Sequence, residues 1–161
     1  MKKECTENEA RLKAEAYCTM AEHCRAEVVD KLYRWGVPTV WMEGILSHLE
    51  QEGYIDGLRY AKAFVRDKYR FSQWGRVKIA QSLRQKQLAS ADIHVAMEEI
   101  DDDEYLLILE HLLEKKLPGI KAKNSFERKG KLVRFAASRG YEMDEILCCL
   151  KRVGCDDEAL E

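Results

Sequence analysis

Long apolar runs are missing from this chain: no stretch of 18 apolar residues occurs, so no segment is expected to span a bilayer. Proline is scarce, with two in 161 residues, which leaves long stretches free to be helical. The start, MKKECTENEARLKAEAY, opens with two lysines but then turns acidic, with no apolar segment behind them. No signal peptide is expected, and the chain is read as cytoplasmic. A Gly-rich phosphate loop, a nucleophile elbow and a Glu-x-x-His pair are also absent, which removes the commonest catalytic signatures. Cysteine is present, at Cys5, Cys18, Cys24, Cys148, Cys149 and Cys155, but no CxxC pair occurs and the middle of the chain has none. Reduced thiols are the expectation for such a pattern in a cytosolic chain. What remains, 46% hydrophobic and 35% charged residues, is enough to bury a core.

The chain repeats itself three times. Val37, Leu88 and Tyr141 mark equivalent points, at spacings of 51 and then 53 residues. Before them stand Val28, Ile79 and Leu132, then Val29, Ala80 and Val133, then Leu32, Leu83 and Ala136. After them come Met42, Ile93 and Ile146, then Ile45, Ala96 and Cys149, then Leu46, Met97 and Leu150, and finally Leu49, Ile100 and Val153. The intervals of three, four and one are helical, and they describe two helices broken at the marked point. Gly36, Pro38 and Thr39 supply a stop and a start in the first copy, Ser90 is a candidate N-cap in the second, and Gly140 precedes the break in the third. A further helix precedes each pair: IDGLRYAKAF and IDDDEYLLIL align, with Asp56 and one of Asp101 to Asp103 as caps. Residues Ala10 to Glu22 supply the first copy less clearly.

The expected fold is all-α: three tandem three-helix units, about nine helices, in an elongated curved array. The expected units are residues 1–53, 54–102 and 103–155, followed by an acidic tail at 156–161. Such an array presents an extended surface, and function is expected there.

Net charge is −2, which alone argues against a nucleic-acid partner. Its distribution argues otherwise. Residues Arg59 to Lys86 hold nine cations against Asp67 alone, and Lys115 to Arg139 hold nine against Glu127 alone. Both windows fall over the connection between the first and second helices of a unit. The first interleaves Tyr69, Phe71 and Trp74 with Arg66, Lys68, Arg70, Arg76 and Lys78, and the second has Phe126 alone. Cations neutralise phosphates and aromatic faces stack on bases. For Trp74 and Phe126 burial between helices is the leading expectation, with stacking on bases the alternative. Unit 1 has Arg25 at the place of Arg76 and Lys129, but surrounds it with Glu15, Glu22, Glu27 and Asp30.

Catalytic and metal readings are weak. Cys18, His23 and Cys24 would need one face, yet on one helix residues 18 and 24 lie about 240° apart. His48, His94 and His111 stand singly, where surface or packing roles are expected. The DDDE run at Asp101 to Glu104 is read as a helix start, favoured by the helix dipole. Cys149 is read as core. No catalytic residue, metal or cofactor is expected.

Four runs, AEHCRAEVVDKL, LEQEGYIDGLRYAKAFVRDK, WGRVKIAQSL and GKLVRFAASRGYEMDEIL, resemble in order and spacing the signatures of the RecX family of recombinase regulators. The resemblance covers roughly Ala16 to Val153. Departures are Gly57 for the second Asp of an Asp-Asp pair, Cys24 for a serine, and Gln87 for a glycine. The resemblance implies a monomeric, non-enzymatic protein that binds RecA filaments on single-stranded DNA. It implies inhibition of their ATPase, strand-exchange and co-protease activities, within DNA repair and the SOS response. A weak direct contact with DNA is a further expectation from charge. The candidate contact residues, chosen by charge, are Arg66, Lys68, Arg70, Trp74, Arg76, Lys78, Lys121, Lys123, Arg128, Lys129 and Lys131. The alternatives are a purely protein-binding adaptor and a DNA-binding module without a recombinase partner. Steep salt dependence would separate a phosphate binder from an adaptor.

Overall fold

The computed structural model describes residues 5–155, so the expected acidic tail lies outside the described residues. Those residues form nine α-helices and no strand. The helices are α1 (Glu7–Met20), α2 (Arg25–Arg34), α3 (Thr39–Gln51), α4 (Gly57–Arg70), α5 (Arg76–Gln85), α6 (Ser90–Met97), α7 (Asp102–Lys116), α8 (Ser125–Ser138) and α9 (Met143–Arg152). A 3-10 turn, Leu117–Gly119, follows α7. Three consecutive helices at a time pack together, and between units the main helix contact is α4 against α7. We refer to α1–α3, α4–α6 and α7–α9 as units 1, 2 and 3.

The first helix of each unit is started by a side chain that accepts a hydrogen bond from a backbone N–H of the first turn. Thr6 accepts from Glu9, with the Glu9 carboxylate returning to the Thr6 N–H as a capping box. Asp56 accepts from Arg59 at 3.0 Å, as expected, and of the three candidates Asp101 to Asp103 it is Asp101 that accepts from Glu104, at 2.8 Å. In unit 3, Asn124 does the same for α8. The expected Ser90 cap is corrected: Ala89 occupies the N-cap and Ser90 is the first helical residue. Cys18 and Cys24 also part company, because α1 ends at Met20 and Cys24 is the N-cap of α2.

Each second helix ends the same way. The residue at the marked point donates to a carbonyl five positions back: Val37 to Leu32, Leu88 to Leu83, Tyr141 to Ala136. This closure needs a left-handed residue just before it. Gly36 and Gly140 supply it, with φ of 74° and 97°, and in unit 2 Gln87 is forced to the same region at 64°.

The repeated apolar positions face inward. Val28, Ile79 and Leu132 are buried, as are Leu32, Leu83 and Ala136, and Ile45, Ala96 and Cys149. They do not form one core, however. Unit 1 closes on its own cluster, from Ala10 to Ile55, whereas units 2 and 3 share a second cluster running from Tyr60 to Leu150. Cys24 is the one buried residue of unit 1 in that second core.

Units 2 and 3 also touch backbone to backbone. The Gly75 N–H donates to the Arg139 carbonyl at 2.8 Å, and the Val77 N–H to the Gly140 carbonyl at 3.0 Å. A Cβ on Gly75 would lie 2.2 Å from the Gly140 carbonyl carbon, and one on Gly140 would lie 2.4 Å from Lys78 Cβ. Only glycine allows this approach. Two predictions follow, both read by urea unfolding. Gly75→Ala should cost at least about 1–3 kcal/mol through the clash at the joint, whereas Gly130→Ala, inside α8 where an added Cβ meets nothing closer than 3.7 Å, should be neutral or stabilising. Gln87→Gly should stabilise by about 0.5–1 kcal/mol, the left-handed penalty of roughly 1–2 kcal/mol less the unfolded-chain entropy that glycine adds.

Candidate nucleoprotein interface

The connection between α4 and α5 places its aromatics in three different settings. Tyr69 is fully buried, Trp74 is half-buried and Phe71 is 80% exposed. Trp74 packs edge-on to Phe64, and the ammonium groups of Lys68 and Lys78 stand 4.6 and 4.4 Å from its ring centroid. These two lysines are held by the ring's π-face and by no acid among the described residues, so their charge is positioned without being neutralised there.

The arginines of the same window are otherwise engaged. Arg66 bonds Glu99 at 3.4 Å, and Lys62 lies 3.8 Å from the same carboxylate. Arg70 bonds Glu104 at 3.0 Å and also the Tyr69 hydroxyl. Arg76 is the most committed. Its guanidinium bonds Asp102, bonds Glu142 at 2.9 Å, approaches Glu145 at 3.9 Å, and stacks 4.1 Å from the centroid of Tyr105. The backbone N–H of Arg76 donates to the Tyr105 hydroxyl at 3.0 Å, and that hydroxyl donates to Glu142. Burial, with the Glu142 carboxylate beside it, pushes the Tyr105 hydroxyl far above its ordinary range, so it stays a donor. Arg76 is therefore a bolt between units 2 and 3.

The connection between α7 and α8 is arranged differently. Phe126 is 77% exposed on the first turn of α8, which overturns the expectation of burial for it. Lys121, Lys123 and Arg128 flank it, are exposed, and pair with no acid among the described residues. Glu127, the one acid of the window, is drawn back toward the helix start: its N–H binds Asn124, and its carboxylate takes the Lys123 N–H and the Lys131 ammonium at 3.3 Å. Lys131 also donates to the Lys121 carbonyl. Lys129 has contacts of its own. Lys116 and Arg139 flank Phe135 at 5.0 and 5.4 Å.

Two windows with equal formal charge thus differ in available charge. Charge counting alone missed this, because the neutralising acids Glu99, Glu104, Asp102 and Glu142 lie 26 to 66 residues away from their partners. In unit 1, Arg25, the counterpart of Arg76, bonds Glu50 at 2.6 Å and Glu43 at 3.0 Å. Among the described residues no cluster of three His, Cys, Asp or Glu side chains is placed to hold a metal ion, and no helix is long and apolar enough to cross a membrane. We expect Tyr105→Phe to cost about 1–3 kcal/mol in urea unfolding, since it leaves the Arg76 N–H without its acceptor.

Comparison with known proteins agrees with this architecture. Residues 56–97 match the family profile described as RecX, second three-helix domain, and residues 102–150 that of the RecX third three-helix domain. A regulatory protein RecX from Vibrio campbellii is 36% identical over 125 residues, 78% of this chain and 79% of that one. One from Pseudomonas fluorescens is 36% identical over 136 residues, 84% of this chain and 86% of that one. The crystal structure of RecX from Lactobacillus salivarius shares the fold with a TM-score of 0.81 at 20% identity, over 91% of this chain and 96% of that one. With two of its three units matched by domain profiles and 36% identity to such relatives over more than three quarters of their length, this chain belongs to the RecX family.

Proposed function

We propose that this protein binds RecA filaments on single-stranded DNA and regulates them, mainly by inhibiting ATPase, strand exchange and co-protease activity. It does so as a cytoplasmic monomer without catalysis of its own, needing only different affinities for different filament states. The relatives named regulatory protein RecX support the regulatory role. The observation that carries the contact surface is the connection before α8 and its first turn, where exposed Lys121, Lys123 and Arg128, with no acid paired to them among the described residues, stand near exposed Phe126 in the chain. Mobile cations neutralise phosphates and an exposed aromatic face stacks on bases. Lys68 and Lys78, poised over Trp74, form the second patch. Lys129 and Lys131 support the first. Arg66, Arg70 and Arg76 belong to the surface but meet a partner only by giving up their acids. Acidic unit 1 is left to face protein.

The test is a titration into the DNA-dependent ATPase assay of RecA from the same host. Inhibition by the unaltered protein is expected. The triple variant Lys121→Glu, Lys123→Glu, Arg128→Glu should need roughly tenfold more protein for half-inhibition, with a salt slope shallower by about one for each lost phosphate contact. Arg76→Glu is a poor probe, because it breaks the joint between units 2 and 3. No inhibition at any excess of the unaltered protein would refute the recombinase reading. Binding to single-stranded DNA with no effect on RecA would favour the DNA-binding alternative.

A further inference from the structure

The two joints of the array are built from equivalent positions with different residues. Gly75, the N-cap of α5, corresponds to Cys24, the N-cap of α2, and Gly140 corresponds to Gln87. Where Gly75 donates its N–H to the Arg139 carbonyl at 2.8 Å, Cys24 reaches the equivalent Lys86 carbonyl only through its thiol, at 4.0 Å. No backbone hydrogen bond crosses the first joint among the described residues, and no helix pair across it packs as α4 packs on α7. A cavity of about 340 Å³ opens there instead, lined among others by Cys24, Arg25, Gly57, Lys86, Gln87 and Asp92. A second of about 150 Å³ lies beside Ala26, Val29 and Gln87. The separate hydrophobic clusters divide at the same place.

Beyond the apolar contact of Cys24 and Ala26 with the second core, charge at the surface closes the first joint. Arg59 of α4 bonds Glu22 at 2.6 Å, and Lys86 approaches Glu27 at 4.0 Å. Arg59 and Glu22 are 45% and 40% exposed. Exposed ion pairs of this kind contribute little and are screened by salt.

We propose that the protein moves as two bodies: units 2 and 3 form one rigid piece, and unit 1 swings on a hinge at Cys24 and Gln87, latched by Arg59–Glu22 and Lys86–Glu27. This does not rest on the RecA reading, and its test uses the free protein alone. The hinge carries its own probe. Cys24 is 1% exposed and Cys149 is fully buried in the second core, so each reacts only when its surroundings open. Burial raises both thiols, Cys149 to about 11, and the exposed Cys5 and Cys148 serve as fast internal controls.

Pulsed iodoacetamide labelling of the unaltered protein, with each cysteine resolved by fragmentation mass spectrometry, should modify Cys24 at least about tenfold faster than Cys149, a difference in opening of the order of local versus global unfolding. Added salt at 0.5 M, or Arg59→Glu, should raise the Cys24 rate about two- to fivefold, the range expected from loss of an exposed ion pair. The exchanged pair Glu22→Arg with Arg59→Glu should restore it. Backbone amides of α2 and α3 should stay protected from hydrogen exchange on the same timescale. A Cys24 rate no faster than that of Cys149 overturns the hinge, as does exchange of the α2 and α3 amides together with Cys24 labelling, which would mean that unit 1 unfolds. A fast rate indifferent to both salt and Arg59→Glu overturns the latch.

Discussion

The contact of two glycine backbones, Gly75 against Gly140, is the constraint on which the rest of the array depends. An array of small units has few contacts between neighbours, so the direction of one unit relative to the next is set by whatever touches at the joint. Here the touching groups are peptide groups, which have fixed geometry and must be paired once buried. The two N–H donors of Gly75 and Val77 find the Arg139 and Gly140 carbonyls, and the third, on Arg76, finds the Tyr105 hydroxyl. Arg76 then extends over the joint to Asp102 and Glu142. Because each of these groups would be left unpaired by a tilt, the angle between units 2 and 3 is fixed by hydrogen-bond directions as well as by apolar packing.

That fixed angle determines where the two cationic connections stand relative to one another, and the same joint decides how much of their charge is usable. Ion pairs recruited to hold the units together, such as Arg76–Glu142 and Arg70–Glu104, remove cations from the surface of unit 2. In unit 3, Lys121, Lys123 and Arg128 pair with no acid among the described residues. Arg128 stands at the place of Gly75, and Lys129, which has contacts of its own, at the place of Arg76. The formal charge of −2 conceals this, since it averages cations spent on architecture with cations left over.

The helical repeat was legible in the sequence because burial recurs at helical intervals and because apolar positions in the three copies coincide; the Asp56 cap, and an acidic cap somewhere in Asp101 to Asp103, were legible because an acid at a helix start has a local reason to be there. Ser90 misled by the same local logic, one position late. Phe126 was misjudged because a lone aromatic in a helix is usually core, and its exposure follows from Leu132 and Ala136 taking the inward face of α8. The role of Arg76 was not legible, since its partners are long-range and are acids that read individually as surface residues. Gly75 carried a signal in retrospect: it is the one copy of its position without a side chain, beside a left-handed glycine in the next unit.

The same alignment that reveals the repeat explains why its joints are unequal. A joint of this design works tightly only when both contacting positions are glycine, and the first joint has Cys24 and Gln87 in those places. A single Cβ at 2.2 Å cannot be accommodated by a small shift, so the units must separate, and their separation opens the cavity and forfeits the backbone hydrogen bonds. Side chains then take over the closure, and the available ones are the acids of unit 1 facing Arg59 and Lys86. The acidity of unit 1 therefore has a structural cause before any functional one. On the two-body proposal, a body of two welded units, joined to an acidic unit through screened ion pairs, would adjust to a curved nucleoprotein surface at its first joint, where deformation costs least, and would keep the geometry of its cationic end unchanged.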